Sequence, residues 1–542
     1  MPLPSHSLGD YCSAMDAIPT AEDLPPSSSG ASDASGAPSR GIQLFNRVFN
    51  RHLMSLALLA TVVVILAGAL HEPRELLRDP DLWWHLADAR ILCTTHHFIR
   101  VEPYSYTVAG KPWVNPEWLA ELPYWFGYHY LGLMGLYVVT FLALFTNVLL
   151  IYLRGCWKSR HAGAAFWATG IGVLLMTVNA GARAIVIAYL LMSLEMAILE
   201  AADRGNLRWL WFLPPLFCVW VNTHGSWLIG LGLLVLYILC GLVSNDSGVF
   251  QQAAFSREVR TRLLFVLAAS VVVLMINPYG WRLVWNPIDM MMNQKLNIHN
   301  VQEWQPLNLE WFAGKTAAVC IGLMMIANGM RSRKWSLFDA ALVFFAWYAA
   351  FDHSRFLFMA ALLTAPMLAV DMERSFFLES DEKTIPFMNM VMVVGSICLI
   401  GYFFPSNAKL KSGLEDAFPM QTIASIQPSW RTLNADSLGG MMDLQGKSSF
   451  IDSRFDTFEH NGVFQDFLDI MFLHDTFHLL DKYRIDHLLL SKKAALSYML
   501  EHQPGWKVLR TEGKGDNAFE LFGRTGATDL GTCAPAAQPA QH

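Results

Sequence analysis

Eleven apolar runs, each close to the ~20 residues that carry a helix across a bilayer, punctuate the chain between His52 and Phe404. Their approximate limits are 52–71, 133–153, 162–178, 184–201, 208–223, 226–243, 262–277, 312–329, 336–351, 356–370 and 386–404. The polar stretches between them alternate in kind. RGCWKSR (154–160), DRGNLR (203–208), SREVRTR (256–262) and RSRK (331–334) are short basic loops. DPDLWWH (79–85), NAGAR (179–183), NTHGSW (222–227), NPYGWR (277–282) and DHSRF (352–356) occupy the opposite helix ends. Short loops rich in Lys and Arg stay in the cytoplasm, so the motif-bearing ends are predicted to be external. An odd number of spans from a cytoplasmic N-terminus places the chain after Pro405 outside as well.

Beyond Pro405 charge rises and the apolar runs shrink. Strand-like pieces (SSFIDSRF, HLLLS, WKVLRT, AFELFG) alternate with helical ones (VFQDFLDIMFLHDTFHLLDKY, KAALSYMLEH), the pattern of a small α/β domain over 406–525. The first ~40 residues are rich in Ser, Pro, Ala, Gly and Asp and nearly lack large apolar side chains, so they cannot bury enough surface to offset the entropy of ordering. The predicted organisation is a disordered cytoplasmic tail (1–45), a transmembrane body (46–405) with one long external loop (72–132), a periplasmic α/β domain (406–525) and a disordered tail (526–542). The first apolar run is full-length and begins far from the N-terminus, which excludes a secretory signal.

Composition agrees with this reading. Of 542 residues, 54% are hydrophobic and only 15% charged, which marks an integral membrane protein. The net charge of -6 averages two compartments, and no basic tract with interleaved stacking residues points to nucleic acid. Most of the eight cysteines lie in apolar runs as small hydrophobes. Cys93 and Cys533 both fall outside, and a bond between them is left open.

The first external loop is the densest in chemistry. Asp79 before Pro80 is an N-cap with Pro at the first helical position, opening a helix through LWWHLADARIL. Asp81, His85 and Asp88 then form one polar stripe flanked by Trp83 and Trp84, as in a helix lying along the bilayer surface. Such a helix can hold a carboxylate and an imidazole at headgroup level; equally, Asp79 can serve only as a cap, Asp81 only as a partner of the helix dipole and His85 only in a local bond. Gly110, Lys111 and Pro112 fit a hairpin turn between TyrSerTyrThr and TrpVal, and Glu117, a reserve acid or base, starts a second amphipathic helix. Trp118, Tyr124 and Trp125 read as membrane-interface anchors.

Arg183, Arg282 and Arg355 each stand at an external helix end, where a guanidinium either forks onto a phosphate or snorkels to the interface. His224 sits between two spans joined by almost no loop and either meets a substrate or is satisfied by a helix end; Asn222 and Gly225 shape that turn. Asn277 and Pro278 end a helix with Tyr279 at its mouth. Glu303 and Trp304 lie late in a long external loop, 280–311, of lid-like size. In DHSRF, Asp352 neutralises His353 or Arg355, or the group contacts a donor. Asp452, Arg454 and Asp456 in FIDSRFD alternate along an expected strand, and a salt-bridged structural role suits them better than catalysis. Asp79 with Asp81 could hold a divalent ion through oxygen ligands, but HHF at 96–98 lacks partners at ligand spacing, and no cofactor is expected.

Taken together, DPDLWWHL, PYSYTVAGKPWVNPEWLAE, WVNTHGSWLIG, INPYGWRL, VQEW, DHSRF and FIDSRFD resemble large bacterial polytopic membrane proteins of the GT-C glycosyltransferase superfamily, near the dolichyl-phosphate-mannose-dependent and lipid A aminosugar transferases. The resemblance covers roughly 50–520. It implies an all-α polytopic GT-C-like domain of about eleven transmembrane helices, amphipathic helices in the first external loop, and the small C-terminal α/β domain outside the membrane. It also implies transfer of a sugar from a polyprenyl-phosphate donor to a glycan, lipid or protein acceptor at the periplasmic face of a bacterial inner membrane. The anomeric centre would invert and an acidic residue of the first external loop would act as base. That role would fall on Asp81 or Asp79, and Asp81 is preferred because Asp79 has the competing duty of capping. His85 and Glu117 would support it, and Arg183, His224, Tyr279, Arg282, Glu303, His353 and Arg355 would contact substrate. The chain departs from such relatives in carrying Ala184 after Arg183 and Asp352 where a basic residue is common. Two other readings stand beside this one. A non-catalytic membrane component or polymerase-like partner of an envelope polysaccharide system fits the topology, whereas a transporter would place its charges at mid-membrane with internal repeats.

Overall fold

The computed structural model describes residues 40–72, 76–177, 180–329, 334–376 and 385–526. Residues 1–39 and 527–542 of the two tails read as disordered, Cys533, Asn179 and most of the RSRK loop lie outside the described residues, whereas 40–45, expected in the disordered tail, belong to a helix. The chain divides into two units, 1–49 and 50–542, and the opening residues of helix α1 (Arg40–Ala69) are the described part of the first.

Each of the eleven apolar runs folds as helix. After α1, the long loop carries α2 (Pro80–Thr95) and α3 (Trp118–Leu131). The body continues as α4 (Leu133–Ser159), α5 (Ala162–Met176), α6 (Ala184–Asp203), α7 (Leu213–Val221, preceded by a 3-10 turn over Leu207–Phe212), α8 (Trp227–Cys240) and α9 (Arg257–Val273). Next come α10 (Trp281–Asn293), α11 (Lys295–Asn300), α12 (Phe312–Gly329), α13 (Leu337–Asp352), α14 (Leu357–Phe376) and α15 (Pro386–Phe403). Among the described residues, five segments are long and apolar enough to cross a membrane: Phe49–Ala69, Leu133–Ser159, Ala184–Asp203, Ser354–Glu373 and Pro386–Phe403. Shorter apolar helices, such as Trp227–Cys240 with 14 residues, would span only about 21 Å at 1.5 Å per residue, short of a ~30 Å hydrocarbon core. The protein is thus a multi-pass, mostly helical membrane protein, in which five helices meet the length criterion among the described residues.

The Ser354–Glu373 segment is the hub, with 83% of its apolar window buried, while 11% of the Pro386–Phe403 window is buried. It fits because small residues face it: a Cβ on Gly172 would lie 3.4 Å from the Ala365 methyl, and Gly155 stands between Ala165 and Ala369. At one end of the bundle the basic-loop helix ends bind each other. Arg154 donates to Glu200 at 2.8 Å and to the Leu362 carbonyl at 3.0 Å, and Lys158 pairs with Asp339 at 3.3 Å. At the other end the motif-bearing segments meet.

The C-terminal domain is built on a four-stranded sheet, β3 (Thr432–Asn434), β4 (His487–Ser491), β5 (Trp506–Glu512) and β6 (Phe519–Arg524), in the order β3-β4-β6-β5 with only β3 and β4 parallel. A two-stranded ribbon, β1 (Asn245–Ser247) with β2 (Phe250–Gln252), lies elsewhere in the chain. Three expected strands are present, but SSFIDSRF is not one of them. It is extended coil running into the helix Phe455–His460, so Asp452 and Arg454 are freed from strand alternation and bond to each other at 2.6 Å. The expected long helix after Val463 is two, Val463–Met471 and Thr476–Lys482, broken where Leu473 and Asp475 take positive φ of 64° and 51°.

This domain sits on α2. Helix α16 (Asp436–Leu444) crosses α2 with Gly440 against the Pro80 carbonyl and the Trp84 ring, an approach that leaves no room for a Cβ. Trp83 is 1% exposed and Trp84 6%, the former edge-on to Phe418 and the latter donating its indole N–H to Ser453 at 3.1 Å. The expected surface-lying helix with interfacial tryptophans is therefore a buried one. The hairpin of this loop also differs from expectation: the turn at Gly110 (φ 71°) pairs Val101 with Pro112, while Ser105 and Thr107 hydrogen-bond to the Phe450 carbonyl of the domain. The long segment 280–311 is largely helical, as α10 and α11. Glu459 of the C-terminal domain accepts the Leu296 and Asn297 N–H groups at 2.9 Å each, capping α11.

Candidate functional site

The helix start at Asp79 forms as its local chemistry requires. Asp79 Oδ1 accepts the Asp81 N–H at 3.0 Å, and Pro80 occupies the first helical position, where no N–H is needed. The second oxygen of Asp79 faces Arg183, whose guanidinium also pairs with Glu303. One cation thus joins the first loop, the start of α6 and the end of the 280–311 segment. The adjacent Gly181 keeps the approach open, since a Cβ there would stand 3.2 Å from Asp79 Oδ2.

Asp81 is half-buried beside this triad, and its carboxylate accepts a 3.3 Å hydrogen bond from the Trp84 indole. Burial pushes its carboxyl up to about 6, and the charge of Asp79 acts in the same direction, against Arg183 and His85. One turn along α2, His85 is 5% exposed and lies between two carboxylates. Its Nδ1 is 2.9 Å from Glu121 and its Nε2 is 3.1 Å from Glu117. Burial opposes the imidazolium, but these two acids outweigh it and hold His85 well above its ordinary value.

Glu117 receives a second imidazole. His224 Nε2 is 3.2 Å from Glu117 Oε1, while His224 Nδ1 accepts the Ser226 N–H at 2.9 Å in the turn before α8. A nitrogen that accepts must be unprotonated, so His224 is the neutral tautomer donating from Nε2. Burial agrees, pulling it down to about 4. Burial disfavours the Glu117 anion, yet His224, His85 and Arg355 together keep its carboxyl below the ordinary range. With both oxygens engaged, Glu117 is a fixed negative charge rather than an open base.

Arg355 lies with its guanidinium 4.0 Å over the Trp304 ring, and Trp304 is pinned because its carbonyl is 2.6 Å from His353 Nδ1. The other ring nitrogen of His353 is 3.5 Å from Asp352. His353 therefore holds Trp304, which orients Arg355. Asp79, Asp81, His85, Glu117, Arg183, His224, Glu303, His353 and Arg355 all belong to this connected group. Tyr279 and Arg282 do not. Tyr279 is 8% exposed and donates to the Ile99 carbonyl at 2.9 Å, a structural bond, and Arg282 is exposed at the start of α10. Trp118 and Tyr124 are not interface anchors either: one indole N–H reaches Asn222 Oδ1 at 3.0 Å, and the Tyr124 hydroxyl donates to the Arg183 carbonyl at 3.2 Å.

Sequence reasoning missed Glu121 and Asn115. The Asn115 amide bridges Glu121 at 2.7 Å to Asp88 at 3.1 Å, and Asp88 accepts the Tyr104 hydroxyl at 2.6 Å. Burial drives Asp88 well above the usual carboxylate range, with Glu121 adding to it, and burial likewise raises Glu121. The signal was present in the spacing, because Glu117 and Glu121 are one helical turn apart. Behind the site, Arg454 ties the C-terminal domain to the loop through Glu102 at 2.7 Å and Asp452 at 2.6 Å, packed 4.7 Å from Trp113 and 5.1 Å from Tyr104.

The carboxylates of the Asp79 and Asp81 pair are already partnered within the protein. The Arg183 guanidinium already stands against Asp79, and among the described residues no group of three His, Cys, Asp or Glu side chains converges as a cation would need.

No protein-family model and no curated protein sequence matches the chain. Solved structures do. The apo oligosaccharyltransferase of Archaeoglobus fulgidus superposes with a TM-score of 0.52 at 10% identity, over 83% of this chain and 70% of that one. The same organism's AglB, in complex with an inhibitory peptide and a dolichol-phosphate, gives 0.50 at 10% identity over 90% and 75%. ArnT from Cupriavidus metallidurans bound to undecaprenyl phosphate gives 0.46 at 14% over 90% and 98%. At these identities the likeness speaks for architecture, and the chain has the fold of the GT-C superfamily that its motifs resemble.

Proposed function

We propose that the protein transfers a sugar from a polyprenyl-phosphate donor to a hydroxyl of an envelope glycan, lipid or protein, at the external face of a bacterial inner membrane and with inversion. The observation that carries this reading is one connected group from distant stretches of the chain, in which a base-like carboxylate, Asp81, lies within reach of the Arg183 charge and Glu117 within reach of that of Arg355. The fold shared with AglB supports it.

The division of labour follows from the contacts. Asp81 accepts the proton of the acceptor hydroxyl as its oxygen attacks the anomeric carbon. The bond from that carbon to the phosphate oxygen breaks, and its electron pair stays on the phosphate, which gains a second negative charge. In this reading Arg183 and Arg355 receive that charge, and stabilising it lowers the barrier because it develops only as the bond breaks. Asp79 and Glu303 hold Arg183, and His353 with Trp304 holds Arg355. Glu117, pinned by His85 and His224, fixes the local charge. A carboxyl near 6 suits the base, being mostly ionised at neutral pH yet basic enough to take a proton.

The test is the lipid the protein carries. Mass spectrometry of material extracted from the purified protein should show a polyprenyl phosphate or its glycosylated form, and cells carrying Asp81→Asn should lose the corresponding glycan with normal membrane abundance of the protein. Absence of the lipid, or an unchanged glycan profile in that variant, would overturn the assignment.

A further inference from the structure

Glu303 is puzzling in a phosphate site, because it puts a carboxylate on the guanidinium that should meet the donor. The pairing is constrained on both sides. Ser354 donates its hydroxyl to the Glu303 carbonyl at 3.3 Å, and the next residue, Trp304, is held by His353 and lies on Arg355. Glu303 is therefore stationed at Arg183 rather than swinging past it. Its side chain is 29% exposed and that of Arg183 22%, so a ligand from solution or from the lipid headgroup layer can reach the pair. Asp79, by contrast, is 4% exposed on its side chain and bound to the helix start.

We infer that Glu303 is the residue that sets the affinity of this site for phosphate and its preference between the two charge states of the lipid, by standing as an internal anion beside Arg183. The inference rests on the proposed role of Arg183. A polyprenyl-phosphate sugar is a phosphodiester with one negative charge, whereas the carrier left after transfer is a monoester of nearly two. Arg183 and Arg355 alone would hold that dianionic product more tightly than the donor, and turnover would stall on release. The Glu303 carboxylate repels each ligand in proportion to its charge, so it penalises the product about twice as much in free energy as the donor. In affinity, a penalty of a given factor for the diester becomes roughly its square for the monoester. The Asp79 charge is already committed to the helix cap, which leaves Glu303 as the adjustable element.

The measurement is binding of two lipids to the full-length protein in nanodiscs: undecaprenyl phosphate and its methyl phosphodiester. Glu303→Gln removes the charge and keeps the shape; Glu303→Ala serves as a second variant. Both should tighten the diester about threefold and the monoester about tenfold, by the squared relation above. The contrast should fade at high salt, where charge interactions are screened. Equal tightening of both lipids, no change, or weakening in the two variants would overturn the role of Glu303 while leaving the phosphate site intact. Failure of native protein and variants alike to bind either lipid would instead overturn the transferase reading on which the inference rests.

Discussion

Replacing Asp81 by Asn should make the protein more stable while removing its activity, and the size and pH dependence of the gain follow from the structure. The Asp81 carboxyl rises from its ordinary 3.8 to about 6 in the fold, with burial the largest cause and Asp79 the next. A rise of about two pH units, at 1.36 kcal/mol each, means that the ionised carboxylate opposes folding by about 3 kcal/mol at neutral pH. Asp81 is only half-buried, and residual solvent contact lowers this to roughly 2 kcal/mol. A carboxyl whose folded value lies above its unfolded value favours folding while protonated, and that contribution disappears as pH rises through the folded value. The stability difference between the Asp81→Asn variant and native protein should accordingly be near zero below about pH 4, grow up to about pH 6 and stay constant above. Asn retains an oxygen to accept the Trp84 indole N–H, so the helix start is preserved. Thermal unfolding of both proteins in nanodiscs across this range is the assay, alongside sugar transfer, which in the native enzyme should fall as pH drops below about 6. A less stable variant at pH 7.5, or a stability difference flat with pH, would refute the assignment of Asp81 as a strained base.

Arg454→Met should cost about 3–5 kcal/mol, because it leaves Glu102 and Asp452 buried without their cation, and Arg454→Met/Glu102→Gln/Asp452→Asn should recover most of the loss in the same unfolding assay. Gly440→Ala should wedge α16 off α2 at Pro80 and Trp84, lowering stability by about 1–3 kcal/mol and exposing the C-terminal domain to limited proteolysis. Trp304→Ala should remove the platform under Arg355 and weaken undecaprenyl phosphate binding about fivefold, the ~1 kcal/mol of a cation–π contact, with little change in folding stability.

Several features of this protein could be read from the chain because their causes are local. Apolarity of a run favours helix, and each of the eleven runs is largely helical over its described residues, five of them long enough to cross a membrane. Asp79 and Pro80 start α2 through contacts within three residues, and the alternation of basic and motif-bearing loops sorts the helix ends. Glu121 was legible in principle, one turn from Glu117. Contacts between distant segments decided the rest. Trp83 and Trp84 carry the pattern of interface anchors, but the C-terminal domain, more than 330 residues on, covers them through Phe418 and Ser453. FIDSRFD has strand-like composition, yet Arg454 is drawn to Glu102, 352 positions away, and a ladder cannot satisfy that bond. Arg183, Arg282 and Arg355 are indistinguishable as arginines at helix ends. Only the packing of the helices gives Arg183 the carboxylates of Asp79 and Glu303, lays Arg355 on Trp304 and leaves Arg282 exposed, because which charge meets which depends on how the helix ends meet in space.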